Sequence, residues 1–248
     1  MPRYTIDLNG RLVPSDEASV SVFDHGFLFG DSVYEVVRTH HGVPFTMAEH
    51  LERLWRSAER IGLAIPLSRR DLTLRVVETL RVAKLDDAYV RIIVTRGVGE
   101  VDIDPASCKE PNVFLIVKAI PAYPPEYYSK GIDVHLCGIE RTSRRATDPG
   151  IKSGNYLNSV LAIMETRKRG SFEGIMLNGE GHLTEGTTSN VFFVRGGAVH
   201  TPSESCGILL GITRALVFEL AADLSIDLCE GEFRTEDLVG SDESFITS

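Results

Sequence analysis

The sequence predicts an α+β fold in two lobes, and three observations carry that reading. Short alternating strands closed by Asn-Gly, His-Gly and Gly-Gly turns outnumber any repeated strand–helix–strand unit. Apolar residues recur at helical spacing in a few well-bounded segments. The stretch AIPAYPPEYYSKG, residues 119–131, holds three prolines and a closing glycine, the composition of a linker. Domains are therefore expected at 1–118 and 132–248, with 119–131 between them.

The chain opens as a hairpin. Tyr4 to Leu8 alternates, Asn9-Gly10 supplies the positive φ angles of a tight turn, and Arg11-Leu12-Val13 returns. A loop-rich stretch, VSVFDHGFLFGDS, leads to a β-branched strand at Val33–Arg38, and a His41-Gly42 turn leads to Val43-Pro44-Phe45. The first helix follows over 46–61. Thr46 and Glu49 have capping-box spacing, and Leu51, Leu54, Trp55, Ala58 and Ile61 form its apolar stripe. A second helix starts at a Ser68 cap and carries Leu72, Val76, Val77 and Leu80. Tyr89–Thr95 alternates as a strand with Val90, Ile92 and Val94 on one face. A glycine-containing loop over 96–105 precedes a strand at Asn112–Lys118.

Beyond the linker, strands are expected at Ile132–Cys137, Gly174–Leu177 and Asn190–Val194, and helices at about Tyr156–Arg169 and Ile212–Leu224. Turns fall at Asn178-Gly179 and Gly196-Gly197. Ser244–Thr247 reads as the start of a strand with nothing after it, so the second domain is expected to lack a C-terminal piece.

Composition excludes several classes. With 26 basic against 35 acidic residues and a net charge of −9, the chain is not expected to bind nucleic acid. No apolar run approaches the roughly 20 residues needed to span a bilayer, and the N-terminus lacks a signal core. Cys108, Cys137, Cys206 and Cys229 form no CxxC pair and read as reduced thiols, which points to the cytoplasm. The pair His40-His41 has no further ligand at zinc-site spacing, so no metal is expected. A GxxxxGK[ST] loop, a full GxGxxG fingerprint and a GxSxG elbow are all missing from the sequence.

Three segments carry chemistry. In DPGIKSGNY, residues 148–156, Lys152 sits among small residues between a turn and a helix start, where a ligand can approach the backbone. A lysine amine there can act as a Schiff-base nucleophile. In LTEGTTSNVF, residues 183–192, Glu185 leads three hydroxyls into an apolar strand. A pyridine ring used as an electron sink needs such an acid at its nitrogen. In GILLGITR, residues 207–214, a helix opens on Ile212 and Thr213, and its free N–H groups can hold an anion. Alone, each segment also reads as an ordinary loop, turn or capped helix.

Together with EHLERL at 49–54, these segments resemble, in order, the class IV (fold type IV) pyridoxal-phosphate enzymes. That family includes branched-chain aminotransferases, D-amino-acid aminotransferases and aminodeoxychorismate lyases. The resemblance runs from about Tyr4 to Thr247. It implies a small N-terminal α/β lobe, a larger pseudobarrel lobe, and pyridoxal 5'-phosphate as cofactor. It implies Lys152 as the Schiff-base lysine and the base that moves the α-proton. Glu185 would partner the ring nitrogen, Tyr156 the 3-oxygen, Arg53, Ile212, Thr213 and Thr247 the phosphate, and Leu209 would pack on the ring. The Lys152–Tyr156 spacing is one residue tighter than in some relatives. The helical period conflicts with one of these roles: Arg53 points about 140° from the apolar stripe at about 100° per residue, which reads as solvent-facing.

The substrate signals are mixed. GDSVYEVV, residues 30–37, looks like the D-amino-acid enzymes, and Val36 stands where branched-chain enzymes usually have glycine. Tyr89-Val90-Arg91 and the 96–105 loop, which includes Ile103, look like the branched-chain group. The Arg-x-His grip of typical D-amino-acid enzymes is missing. The resemblance implies substrate contacts from Phe29, Tyr34, Val36, Arg38, Tyr89, Arg91, Ile103 and Thr188, with Arg38 and Arg91 as the cations for a carboxylate. The expectation is transamination of branched-chain L-amino acids with 2-oxoglutarate. The alternatives are a D-amino-acid aminotransferase and a lyase on the same cofactor. The resemblance also implies a homodimer in which the 96–105 loop reaches the neighbouring copy's site.

Overall fold

The computed structural model describes residues 4–248, which divide into two compact units. The first comprises the chain as far as Ala122 together with Ile151–Asn155; the second comprises Tyr123–Gly150 and Tyr156–Ser248. The two are close to equal in length. The excursion of 151–155 into the first unit was not legible from a linear boundary. It is a backbone effect: the Tyr34 N–H donates to the Lys152 carbonyl (3.0 Å) and the Gly154 N–H to the Ser32 carbonyl (2.8 Å).

The first unit contains β1 (Thr5–Leu8), β2 (Arg11–Val13), α1 (His25–Leu28), β3 (Ser32–His40), β4 (Val43–Pro44), α2 (Met47–Arg60), α3 (Arg69–Ala83), β5 (Ala88–Thr95) and β6 (Asn112–Ala119). Its strands form one antiparallel sheet in the order β2-β1-β6-β5-β3-β4. The Asn9-Gly10 turn is as expected, with φ of 51° and 86°. Val33 and Val37 on β3, Val90, Ile92 and Val94 on β5, and Leu115 and Val117 on β6 pack against Leu51, Leu54 and Ala58 of α2 and Leu72 and Val76 of α3. Each such side chain contributes about 1.5–3 kcal/mol by leaving water. One sheet face is thereby fixed as core, and the alternate residues point the other way.

Several expectations need correction here. Thr46 makes no side-chain cap to α2. It sits in the left-handed region (φ 48°, ψ 40°), so its hydroxyl is turned from the helix's first N–H groups and no capping box forms. Ser68 does cap α3, accepting from the Asp71 N–H at 3.1 Å. The stretch read as loop over 20–32 contains α1, because buried Asp24 organises it. Its carboxylate accepts from the Gly26 N–H (2.7 Å), the Thr95 hydroxyl (2.8 Å) and the Asn112 amide (2.7 Å).

The second unit contains α4 (Glu126–Ser129), β7 (Val134–Leu136), α5 (Leu157–Lys168), β8 (Glu173–Leu177), β9 (Leu183–Gly186), β10 (Asn190–Arg195), β11 (Ala198–Pro202), α6 (Ile212–Asp223), β12 (Leu228–Gly231), α7 (Thr235–Val239) and β13 (Glu243–Thr247). One sheet has the order β12-β11-β10-β13 and another β7-β8-β9. The pairs β7/β8 and β11/β12 are parallel, so the unit mixes both pairings. Ile175, Leu183, Val191 and Phe193 form the core between strands. The strand expected at 244–247 is present as part of β13, which pairs antiparallel with β10 from Asn190↔Thr247 to Val194↔Glu243. The short strands β9, β11 and β12 were missed because none alternates over enough residues to stand out.

Candidate functional site

In the first unit, the register of β3 on β5 pairs Tyr34 with Ile93, Val36 with Arg91, and Arg38 with Tyr89. Because side chains alternate, these six share the face opposite the core. Five of the eight expected substrate residues thus stand on one surface. The Arg91 guanidinium lies 3.9 Å from the Tyr34 ring centroid, and the Lys152 amine lies 4.6 Å from the same centroid. Each of these cation–ring contacts is worth about 0.5–2 kcal/mol. The Lys152 backbone is fixed at both ends, since its N–H also donates to the Ser57 hydroxyl at 3.2 Å. Phe29 and Ile103 are exposed on loops and are not brought to this group; Ile103 is 83% exposed.

Arg53 is not solvent-facing. It is buried, 6% exposed, on the core side of β3. Its Nε and one Nη donate to the two carboxylate oxygens of Glu35 at 2.6 and 2.8 Å, a bidentate pair, and His50 Nδ1 lies 2.7 Å from Glu35. Periodicity misassigned Arg53 because it counts an arginine as polar without asking whether a buried acid awaits it. Burial pushes the Glu35 carboxyl up, but the hydrogen bonds from Arg53 and His50 and the charges of Arg53 and Lys152 outweigh it and hold it at about 2. The Glu35–Arg53 pair was not foreseen. A lone glutamate inside a β-branched strand was the signal that could have found it.

In the second unit, Glu185 lies near the end of β9 and is buried, 6% exposed. One oxygen accepts from Arg141 at 2.9 Å and the other from the Leu209 N–H at 2.9 Å. Arg141, missed in the sequence, also donates to Asn158 at 3.2 Å. Asn190, at the start of β10, donates to the Leu209 carbonyl at 2.9 Å. Gly211 packs so closely on that asparagine that a Cβ would collide with its oxygen. The 209–213 segment is thereby pinned to Glu185 and Asn190. It delivers the start of α6, whose N-cap Gly211 offers no side chain to the first N–H groups. Ile212 and Thr213 stand there, and the Thr213 hydroxyl donates to the Ser248 carbonyl at 3.1 Å. The Thr247 hydroxyl is buried without a hydrogen-bond partner. An orphaned hydroxyl and an open helix N-terminus fit an anion rich in oxygens, such as a phosphate. Tyr156 is half-buried at the N-cap of α5, and Thr188 is exposed in the turn after Glu185.

The unit thus holds a buried acid beside an anion cradle, and the first unit holds an amine over an aromatic ring. The acid and cradle of the second unit fit a phosphate-bearing group with a protonatable ring nitrogen, and an amine such as that of the first unit can react with a carbonyl. No described helix is long and apolar enough to cross a membrane.

The chain is similar to known proteins over nearly its whole length. The model of the family described as amino-transferase class IV matches residues 32–248. A Methanocaldococcus jannaschii protein, provisionally named a branched-chain-amino-acid aminotransferase, is 43% identical over 98% of this chain and 83% of its own length. The aminodeoxychorismate lyase of Bacillus subtilis is 32% identical over 98% of this chain and 82% of its own. The D-alanine aminotransferase of Bacillus licheniformis is also 32% identical, over 97% and 83%. Among solved structures, the branched-chain aminotransferase of Thermoproteus uzoniensis with norvaline superposes with a TM-score of 0.92 at 34% identity, covering 98% of this chain and 83% of that one. A second solved branched-chain aminotransferase, with pyridoxamine 5'-phosphate, gives 0.94 at 30% identity, over 99% and 82%.

Proposed function

The chain belongs to the amino-transferase class IV family, and from that premise we propose that it moves the amino group of branched-chain L-amino acids to a 2-oxo acid such as 2-oxoglutarate. The family makes it a pyridoxal-phosphate-dependent enzyme. The observation that carries the reading is the Lys152 amine over the Tyr34 ring, on a sheet face shared with Val36 and Arg91.

Pyridoxal phosphate, when bound, supplies a ring that draws electrons from the substrate α-carbon. Lys152 would hold it covalently, and the freed amine would carry the proton from that α-carbon. Glu185 would keep the ring nitrogen protonated, with Arg141 and the Leu209 N–H fixing the carboxylate's orientation. Ile212, Thr213, Thr247 and Arg53 would hold the phosphate, Tyr156 the 3-oxygen, and Leu209 the ring's flank. Arg91 and Arg38 would offer cations to the substrate carboxylate. Tyr34, Val36, Tyr89 and Thr188 would surround its side chain, whereas Phe29 and Ile103 stand on exposed loops apart from that group. We assign the 96–105 loop to the site of a second copy in a homodimer, a role its exposed Val98, Val101 and Ile103 support. Four free cysteines support a cytoplasmic setting.

A second reading, D-amino-acid transamination, is favoured by Val36 on the substrate face and by the D-alanine aminotransferase relatives. The absorption spectrum of the purified holoenzyme separates the two. Bleaching of the bound cofactor's visible band by L-leucine and not D-alanine is the expected result. Bleaching by D-alanine alone would transfer the assignment to the second reading. Release of pyruvate from one substrate with no 2-oxo acid added would move it to the lyases. No band after adding pyridoxal phosphate would overturn the cofactor assignment for this chain. Glu185→Gln is expected to slow the half-reaction about 10²–10³-fold, the scale for removing one oriented electrostatic group, with cofactor still bound. An unchanged rate in stopped-flow would remove Glu185 from its role.

A further inference from the structure

Glu173 lies at the start of β8 and is buried, 4% exposed. Nothing in the chemistry above uses it. Its carboxylate faces hydrogen-bond donors from a turn 14 to 16 residues on. One oxygen accepts from the Gly174 N–H (2.8 Å), the Thr187 N–H (3.1 Å) and the Thr187 hydroxyl (2.6 Å), and the other from the Ser189 hydroxyl (3.0 Å). Each of these partners is a donor, which suits a group that only accepts. The turn is tight enough that a Cβ on Gly186 would collide with the Ser189 hydroxyl and press within 3.1 Å of the Glu173 carboxyl carbon. The Gly186 N–H also donates to the Ser189 carbonyl at 2.6 Å.

The clamped turn joins two elements with stated tasks. Directly before it is Glu185, bonded to the Leu209 N–H, and directly after it is Asn190, bonded to the Leu209 carbonyl. Glu185 and Asn190 thus grip both polar groups of one residue, Leu209, and the spacing of that grip is set by the turn. A burial role alone would be met by an apolar side chain at lower cost, since a buried carboxylate must replace its hydration with donors. We propose that Glu173 is a positioning residue: by holding the 186–189 turn it sets the separation of Glu185 and Asn190, and so aligns the Glu185 carboxylate and the 209–213 anion cradle together. The proposal rests on the cofactor reading above for the tasks of Glu185 and the cradle, but its structural step does not.

The variants to compare are Glu173→Ala and Glu173→Gln. Alanine leaves three hydroxyl or N–H donors of the turn without their acceptor. Glutamine keeps an oxygen for the two N–H groups, and its amide can donate to the Ser189 hydroxyl once that rotates. Hydrogen exchange on the protein without cofactor is the first readout. In the alanine variant, exchange is expected to rise about tenfold or more at 186–190 and at Leu209, the scale for losing buried hydrogen bonds, with β1 and β6 unchanged. The second readout, on the holoenzyme, is the dissociation constant for pyridoxal phosphate, expected to rise about tenfold in the alanine variant and to return to within about threefold of wild type in the glutamine variant. Faster exchange confined to 173–174, or a glutamine variant as impaired as alanine, would overturn the proposal. Should Glu173→Ala not fold, Thr187→Val and Ser189→Ala remove its two hydroxyl bonds one at a time. Faster exchange at Leu209 in both supports the coupling, and none in either overturns it. Because exchange is read without cofactor, a wild-type protein that binds no pyridoxal phosphate fails the functional reading and leaves the exchange result to decide this one.

Discussion

Lys152→Ala is expected to abolish turnover, by at least about 10⁴-fold, while leaving the protein as stable as wild type to within about 1 kcal/mol. In the role proposed for Lys152 two losses combine in the rate: the covalent hold on the cofactor and the base that moves the α-proton, the latter alone worth about 10²–10⁴-fold. The small stability change follows from where the residue's bonds lie. Lys152 is joined to Tyr34 and Ser57 through its backbone carbonyl and N–H, and alanine keeps both. What is lost is the amine over the Tyr34 ring, about 0.5–1 kcal/mol at a partly exposed site. Lys152→Arg should be equally inactive, because a guanidinium stays protonated and is no nucleophile. Steady-state assays with thermal melts on the same samples check both halves. Turnover at wild-type rate in Lys152→Ala would remove this residue from the chemistry. A large drop in melting temperature would mean that the side chain, and not the backbone, ties 151–155 to the first unit.

Much of this fold is legible in the sequence because its signals are local. The Asn9-Gly10 hairpin, the Ser68 cap and the strand at 88–95 each declare themselves within a few residues. Where the signal was long-range, the sequence was silent or misleading. Arg53 reads as solvent-facing until Glu35, 18 positions away on a strand, is placed against it. Asp24 orders a loop through Thr95 and Asn112, 71 and 88 positions away. The capping box at Thr46 has the right letters but the wrong backbone, and no composition rule sees a φ of 48°. The candidate site divides the same way. Lys152, Glu185 and the start of α6 were singled out by residue type and order. Arg141, which holds Glu185, and Glu173, which holds the turn after it, were missed because a buried partner's only mark in a sequence is a charge where an apolar residue would do.

Glu35→Gln is expected to destabilise the protein by about 3 kcal/mol at pH 7, near the range for breaking a buried ion pair from one side. The glutamine cannot accept from both arms of the Arg53 guanidinium, so a bidentate charge-assisted pair becomes a single neutral bond, and the His50 contact loses its acid. The pH dependence distinguishes this from a packing defect. The folded carboxyl is held at about 2 against an ordinary value of 4.5. The unfolded chain therefore takes up its proton first as pH falls. The stabilisation is fully present above about pH 4.5 and drains away as pH falls toward 2. By pH 3.5 about 1.4 kcal/mol of it should be gone. Urea unfolding of wild type and variant at matched pH reads this directly. The gap between the two curves should hold constant from pH 7 to 5 and then narrow by that amount at pH 3.5. A gap that stays constant to pH 3.5 would mean that Glu35 owes its effect to shape and not to charge. Replacing both partners, Glu35→Leu with Arg53→Met, should recover most of the stability, since an apolar pair of similar size often matches a buried salt bridge. The same double variant should bind pyridoxal phosphate more weakly if Arg53 reaches the phosphate. Unchanged affinity in a stable double variant would confine Arg53 to the core of the first unit.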